Sequence, residues 1–141
     1  MSFMIKQYPL NLTTKGRTTV EITTEINQLI RQSDIKTGLC HIFVQHTSAS
    51  LIITENADRN VRRDLEGFIS KLVLDGDPDY LHDQEGPDDM AAHIRSVLTQ
   101  TDITIPITAG KAALGIWQGL YLWEHRTRPH LRQLVITISG E

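Results

Sequence analysis

The sequence predicts an α+β fold, a single compact domain over residues 1–141 with mixed or antiparallel sheets and two or three helices. Strand-like and helix-like segments are interspersed without a strict βαβ rhythm. No internal repeat, low-complexity tract or Pro/Gly/Ser-rich linker divides the chain. With 141 residues, 40% of them hydrophobic and 22% charged, it can bury roughly 65–70% of the surface it would expose unfolded.

Each element has its own signal. Arg17 to Ile22 is rich in β-branched residues and reads as a strand. Ile22, Ile26, Leu29 and Ile30 then recur at helical spacing, with Thr23 or Thr24 as cap. Gly38 precedes Leu39 to His46, a strand apolar on both faces and so expected to be covered on both. Leu51 to Thr54 is a short apolar run. The longest helix signal follows, with Ala57, Val61, Leu65, Phe68, Ile69 and Leu72 on one stripe. Arg59, Arg62, Arg63, Glu66 and Lys71 occupy its opposite face, which is expected to be solvated. Asn56 is the expected N-cap, with Asp58 in the first turn.

Periodicity vanishes from Asp75 to Asp89, a polar, turn-rich loop of the length that usually carries function. Asp88 or Asp89 caps the next helix, which carries Met90, Ile94, Val97 and Leu98. Strands are expected over Asp102 to Ile107, over Lys111 to His125 after a turn at Ala109-Gly110, and over Leu131 to Ile138. Pro106, unable to donate to a ladder, belongs at an edge, a bulge or a strand end.

Composition removes several classes of function. No apolar run approaches the ~18–20 residues needed to span a bilayer, so no membrane role is expected. No secretory signal is evident, and the expected location is the cytoplasm. A lone Cys40 excludes a disulfide framework or a cysteine zinc cluster. A net charge of -3 without a basic tract argues against nucleic acid as a partner. Six histidines remain to be explained.

Four segments concentrate chemistry. His46-Thr47-Ser48-Ala49-Ser50 leaves a strand end with one imidazole and three hydroxyls, which suits a general acid/base or metal ligand beside a phosphate; a turn with local hydroxyl-to-backbone bonds suits it equally. Glu55, Asn56 and Asp58 crowd a helix start, where capping competes with binding. His82 and His93 flank Glu85, Asp88 and Asp89, so a loop His and a helical His can converge on one divalent cation, Zn²⁺ or Mg²⁺, with carboxylates completing the shell. A solvated acidic loop is the competing reading. Trp117, Tyr121 and Trp123 alternate with Leu114, Ile116, Leu120 and Leu122, beside Gln118 and Arg126. That pattern suits a planar phosphorylated ligand, or a strand buried on both faces.

Taken together, His46 to Ser50, Glu55 to Asp58, His82 to Met90, Gly115 to Gly119 and Glu124 to Arg126 resemble the YjbQ-like family over nearly the whole chain. Two departures are visible: Thr54-Glu55-Asn56-Ala57-Asp58 stands where the family often has Asn-Glu-Asp-Ala-Asp, and Ile116 where it often has Thr. The resemblance implies a homotrimer with a secondary thiamine-phosphate synthase activity. That reaction joins a pyrimidine methyl diphosphate to a thiazole phosphate and releases diphosphate. It also implies that His46, Ser48, Glu55, Asp58, His82, Glu85, His93, Trp117, Gln118 and Arg126 surround a common pocket.

On this reading His46, His82, His93 and Glu85 are the catalytic candidates. Thr47, Ser48, Ser50, Glu55, Asp58, Trp117, Gln118 and Arg126 bind a small phosphorylated metabolite, and His82, His93, Glu85 and Asp88 hold the metal. A metal-dependent hydrolase of a phosphorylated metabolite and a non-enzymatic trimeric anion-binding module are the alternatives.

Overall fold

A computed structural model describes residues 2–141. The chain runs β1 (Met4–Thr13), β2 (Thr18–Glu21), α1 (Thr23–Ser33), β3 (Gly38–Val44), β4 (Ala49–Glu55), α2 (Arg59–Leu72), α3 (Asp89–Leu98), β5 (Asp102–Thr108), β6 (Lys111–Ala112), β7 (Gln118–Glu124) and β8 (Leu131–Gly140). Five strands form one sheet in the order β1-β8-β3-β5-β6, and three form a second in the order β2-β7-β4. All pairings are antiparallel, as expected for an α+β chain without βαβ units.

The two sheets share one core. Strands β3, β5 and β8 contribute Ile42, Ile105 and Ile136; the smaller sheet contributes Leu51, Leu120 and Leu122; α1 inserts Ile26 and Ile30. The far face of the small sheet carries a second cluster, where Trp123 and Ile52 meet Leu65, Ile69 and Val73 of the α2 region and Ala91 and Ile94 of α3. Alternation along β4 and β7 thus serves two cores at once, which explains why both faces of these strands are apolar.

Several expectations change in detail. Strand β1 was not anticipated, because Pro9 and Asn11, residue types that strands disfavour, fill the exposed positions of its regular alternation with Tyr8, Leu10 and Leu12. The expected strand from Lys111 to His125 is broken: β6 has two residues, a loop follows, and β7 starts only at Gln118. Gly115 N–H donates to the Gln118 side chain and Gln118 N–H to the Gly115 carbonyl, so this turn is closed locally. Strand β3 is covered on one face only; Leu39 and Phe43 stand exposed on the other.

Helix starts also shift. Ile22, with no side-chain cap, precedes α1, while Asp58 rather than Asn56 caps α2 through the Asn60 N–H at 2.9 Å. Pro106 lies inside β5, and its carbonyl accepts from Ala113 on the side away from β3. In an antiparallel strand N–H and C=O of one residue point the same way, so the missing donor costs the β3 ladder nothing. No helix among the described residues is long and apolar enough to cross a membrane.

Candidate metal centre

The loop and α3 bring three ligand-type side chains together. Asp89 opens α3 and is itself 2% exposed. His93 lies one turn further along the same face, an i,i+4 relation that aligns the two side chains. His82 reaches them from the loop. One ligand atom from each of His82, Asp89 and His93 lies within 4.8 Å of the others. His82 Nε2 is 2.8 Å and His93 Nε2 3.3 Å from Asp89 Oδ2, with Glu85 3.6 Å from His82 at the open edge.

Hydrogen bonding fixes how His93 is presented. Its Nδ1 lies 3.0 Å from the Thr47 carbonyl oxygen, which can only accept, so Nδ1 carries hydrogen and donates. In the neutral form of the ring, Nε2 turns its lone pair towards the Asp89 carboxylate at 3.3 Å. Two acceptors face each other across a gap that a proton or a cation must fill. A histidine whose other nitrogen is pinned to a backbone carbonyl is also the usual arrangement of a metal ligand. Donors around a tetrahedral ion with bonds of ~2.0–2.1 Å stand roughly 3.3 Å apart, so small movements would close the site.

Electrostatics keep the carboxylates ionised. Burial opposes charge on Asp89, but hydrogen bonding from His82 and the charges of His93 and Arg126 outweigh it and hold its carboxyl below the usual range. Asp88 is likewise desolvated, yet Arg126 and the Thr127 N–H hold it far below that range. Asp88 accepts from Arg126 Nε and Thr127 N–H, both at 2.9 Å, so its side chain is turned away from the imidazoles. Asp89 takes the position between the histidines that was expected of Asp88. Residue 89, not 88, shares a helix face with 93, and that spacing was the available signal.

Of the other expected site residues, His46 and Thr47 line one groove with His93, and the rest go elsewhere. His46 Nε2 accepts the Gln133 N–H at 2.8 Å, and burial with nearby Arg132 lowers its basicity; it does not join the cluster. Thr47 serves through its carbonyl. Ser48 accepts from Arg132 at 3.0 Å, and Ser50 is buried against His125 at 2.7 Å. Arg126 is spent on Asp88, on Asp89 at 3.0 Å and on the Glu85 carbonyl at 2.9 Å, which leaves it a brace for the loop rather than a free phosphate donor.

Glu55, Asp58, Gln118 and Trp117 gather at the opposite end of the small sheet. The register pairs Ala49 with Glu124 at one end of β4·β7 and Glu55 with Gln118 at the other, a separation of about 20 Å at ~3.4 Å per residue. These four residues therefore share no pocket with His82 and His93 inside one chain. There Glu55 accepts the Asp58 N–H at 2.8 Å. Trp117 is 60% exposed.

Two features escaped the pattern. Glu124, fully buried, holds Arg132 through both oxygens and also receives Thr14 Oγ1 and the Arg126 N–H. Burial opposes its charge, but Arg132 and these donors keep its carboxyl low. Beside it, His125 is fully buried. Cys40 is buried in the main core, and desolvation pushes its thiol up to about 12, which removes it from any reactive role.

Fold and site together define a class: a small two-sheet α+β protein whose loop and third helix present a two-histidine, one-carboxylate cluster. The chain belongs to the YjbQ-like UPF0047 family, whose model matches residues 8–141. UPF0047 protein sll1880 of Synechocystis is 49% identical over 99% of this chain and 95% of the relative. UPF0047 protein YjbQ of Escherichia coli O157:H7 is 42% identical over 96% of this chain and 98% of its own. The crystal structure of an uncharacterized conserved protein of the YjbQ/UPF0047 family from Clostridium acetobutylicum is similar with a TM-score of 0.82 at 32% identity, covering 94% and 98% of the two chains. These similarities establish family and fold, and the family is one of unknown function.

Proposed function

We propose that this protein is a divalent-metal-dependent enzyme acting on a small phosphorylated metabolite, with His82, Asp89 and His93 as the metal ligands. The carrying observation is the convergence of His82, Asp89 and His93, with ligand atoms within 4.8 Å of one another and His93 oriented by the Thr47 carbonyl. Two imidazoles with one carboxylate favour Zn²⁺ or a similar transition metal over Mg²⁺, which prefers oxygen donors. A cation held there would stabilise charge on a phosphate oxygen and acidify a bound water.

The chain's own contributions follow from the contacts. Asp89 supplies the buried negative charge, Arg126 and Asp88 hold the loop, and exposed Glu85 stands beside His82 where a proton acceptor is useful. His93 and Thr47 also line a groove of about 610 Å³ with Phe43, Val44 and Val97, a mostly apolar wall for the organic part of a substrate. Hydrolysis of a phosphate ester, with water as the nucleophile, Glu85 taking its proton and the alcohol leaving, is the reaction favoured here.

Thiamine-phosphate synthase chemistry is a second reading, supported by that apolar groove against His93. The aromatic wall in this reading is Phe43, because Trp117 lies at the far end of β4·β7. A cytoplasmic homotrimer is part of both readings.

The test is metal content and turnover together. Purified protein is expected to retain about one transition-metal ion per chain, lost in Asp89→Asn and His93→Ala. It is expected to release phosphate from a panel of phosphate esters only when metal is present. Formation of thiamine phosphate from the two heterocyclic phosphates, without phosphate release, would favour the synthase. Wild-type protein that binds no more metal than Asp89→Asn would overturn the proposal.

A further inference from the structure

A different cleft, lined by Arg17, Arg59, Arg62 and Arg63, lies between edge strand β2 and helix α2, with Trp123 at its base. It encloses about 560 Å³ and shares no residue with the metal centre. Four of its lining side chains are arginines in a chain whose net charge is -3. Its one lining carboxylate, Glu66, is engaged on the inner side by Arg95 at 2.7 Å and by Trp123 Nε1 at 3.1 Å.

The arginines fall into two kinds. Arg17 is fixed: both its terminal nitrogens lie 2.7 Å from the Asp75 carboxylate and its Nε donates to the His125 carbonyl. Arg62 is fixed too, its guanidinium 4.7 Å from the Tyr121 ring centroid and hydrogen-bonded to the Glu55 carbonyl. Arg59 and Arg63 have no side-chain hydrogen-bond or ion-pair partner among the described residues. They are one turn apart, so both side chains rise on the same face.

That placement breaks local rules. Arg59 opens α2, whose first turn carries no acidic residue, so its charge opposes the helix dipole. An i,i+4 pair of like charges costs the helix further. Asp58 at the N-cap offsets part of the first cost, and the second is left standing, since neither guanidinium has an ion-pair partner among the described residues. A like-charge pair left without a counter-charge is expected at functional or strained sites.

We infer that this cleft binds a small organic phosphate bearing at least two negative charges, with Arg59 and Arg63 bracketing the phosphate oxygens. Guanidinium forks match such oxygens two at a time. Thr18 and Thr19 of the edge strand add hydroxyls at the rim. The volume falls in the range of small-molecule sites, ~300–1,000 Å³. This inference does not depend on the metal centre.

The experiment is calorimetric titration of inorganic diphosphate into the full chain in metal-free buffer. Trp123 fluorescence in a Trp117→Phe background provides the second readout. Saturable binding is expected, weakened at least about tenfold by Arg59→Gln combined with Arg63→Gln. Both positions are solvent-facing and the double substitution relieves repulsion, so the variant is expected to fold. His93→Ala is expected to bind diphosphate as wild type does. Affinity within about twofold of wild type in the double variant, or tighter binding of a single-stranded oligonucleotide than of diphosphate, overturns the inference.

Discussion

His125 should make stability fall as the pH drops below neutral. Its ring is fully buried; Nε2 meets Ser50 Oγ at 2.7 Å, while Nδ1 has no partner. Protonation would put a hydrogen on both nitrogens and strand one of them in the core. Burial, together with the charges of Arg95, Arg17 and Arg132, pushes the imidazole down to about 3. In the unfolded chain an imidazole titrates near ~6.5.

The sign follows from proton counting. Between about pH 6.5 and pH 3 the unfolded chain binds the proton that the folded one refuses, so stability rises with pH across this window and is lost on acidification. Going from pH 7 to pH 5, the loss from this group amounts to about 2 kcal/mol. Urea unfolding at the two pH values, for wild type and His125→Gln, isolates it, since the remaining histidines titrate in both. A wild-type loss exceeding the variant's by about 2 kcal/mol is the expected result. An imidazole proton resonance that fails to shift above about pH 5 gives the same answer without any substitution. Parallel pH dependence in the two proteins would refute the reasoning.

Two further substitutions test the frame. Gly38→Ala would place its Cβ 1.8 Å from the Ser139 carbonyl oxygen, a backbone clash inside the β3·β8 ladder expected to cost about 3 kcal/mol in urea unfolding. Arg126→Met strips the buried partner from Asp88 and Asp89 and should cost about 3–5 kcal/mol by the same measurement. Neutral behaviour of either variant would mean that the contact is not formed in solution.

Fold class and most strands and helices were legible because alternation and helical spacing are local properties. Strand β1 was hidden because Pro9 and Asn11, poor strand formers, occupy the exposed positions of its alternation. The Gly115–Gln118 turn was hidden for the opposite reason: an apolar run reads as one strand even when a side-chain amide closes a loop within it. Of the metal centre, His82 and His93 stood out as lone imidazoles beside carboxylates. Choosing between Asp88 and Asp89 needed the helix phase, since only Asp89 sits one turn from His93. The partners of Glu124 were not legible at all, because Thr14 and Arg132 reach it from β1's end and β8, brought close only by sheet order.

The two ends of the β4·β7 ladder show how satisfied and unsatisfied polar groups divide the molecule. Asp58 caps α2, Glu55 closes the turn before it, and Gln118 closes the loop preceding β7, so the polar groups of that end are used in holding the chain. Near Glu124, Ser48 and Ser50 are used in the same way by Arg132 and His125. A buried or partly buried polar group already paired in the fold gains little from a ligand, because binding must first break what folding made. Unspent capacity is what a ligand can use. In this chain it is concentrated at His93 Nε2, 3.3 Å from Asp89, and in the guanidinium groups of Arg59 and Arg63, which have no partner among the described residues. The first calls for a cation and the second for an anion, which is why the two sites are assigned separate ligands and separate tests.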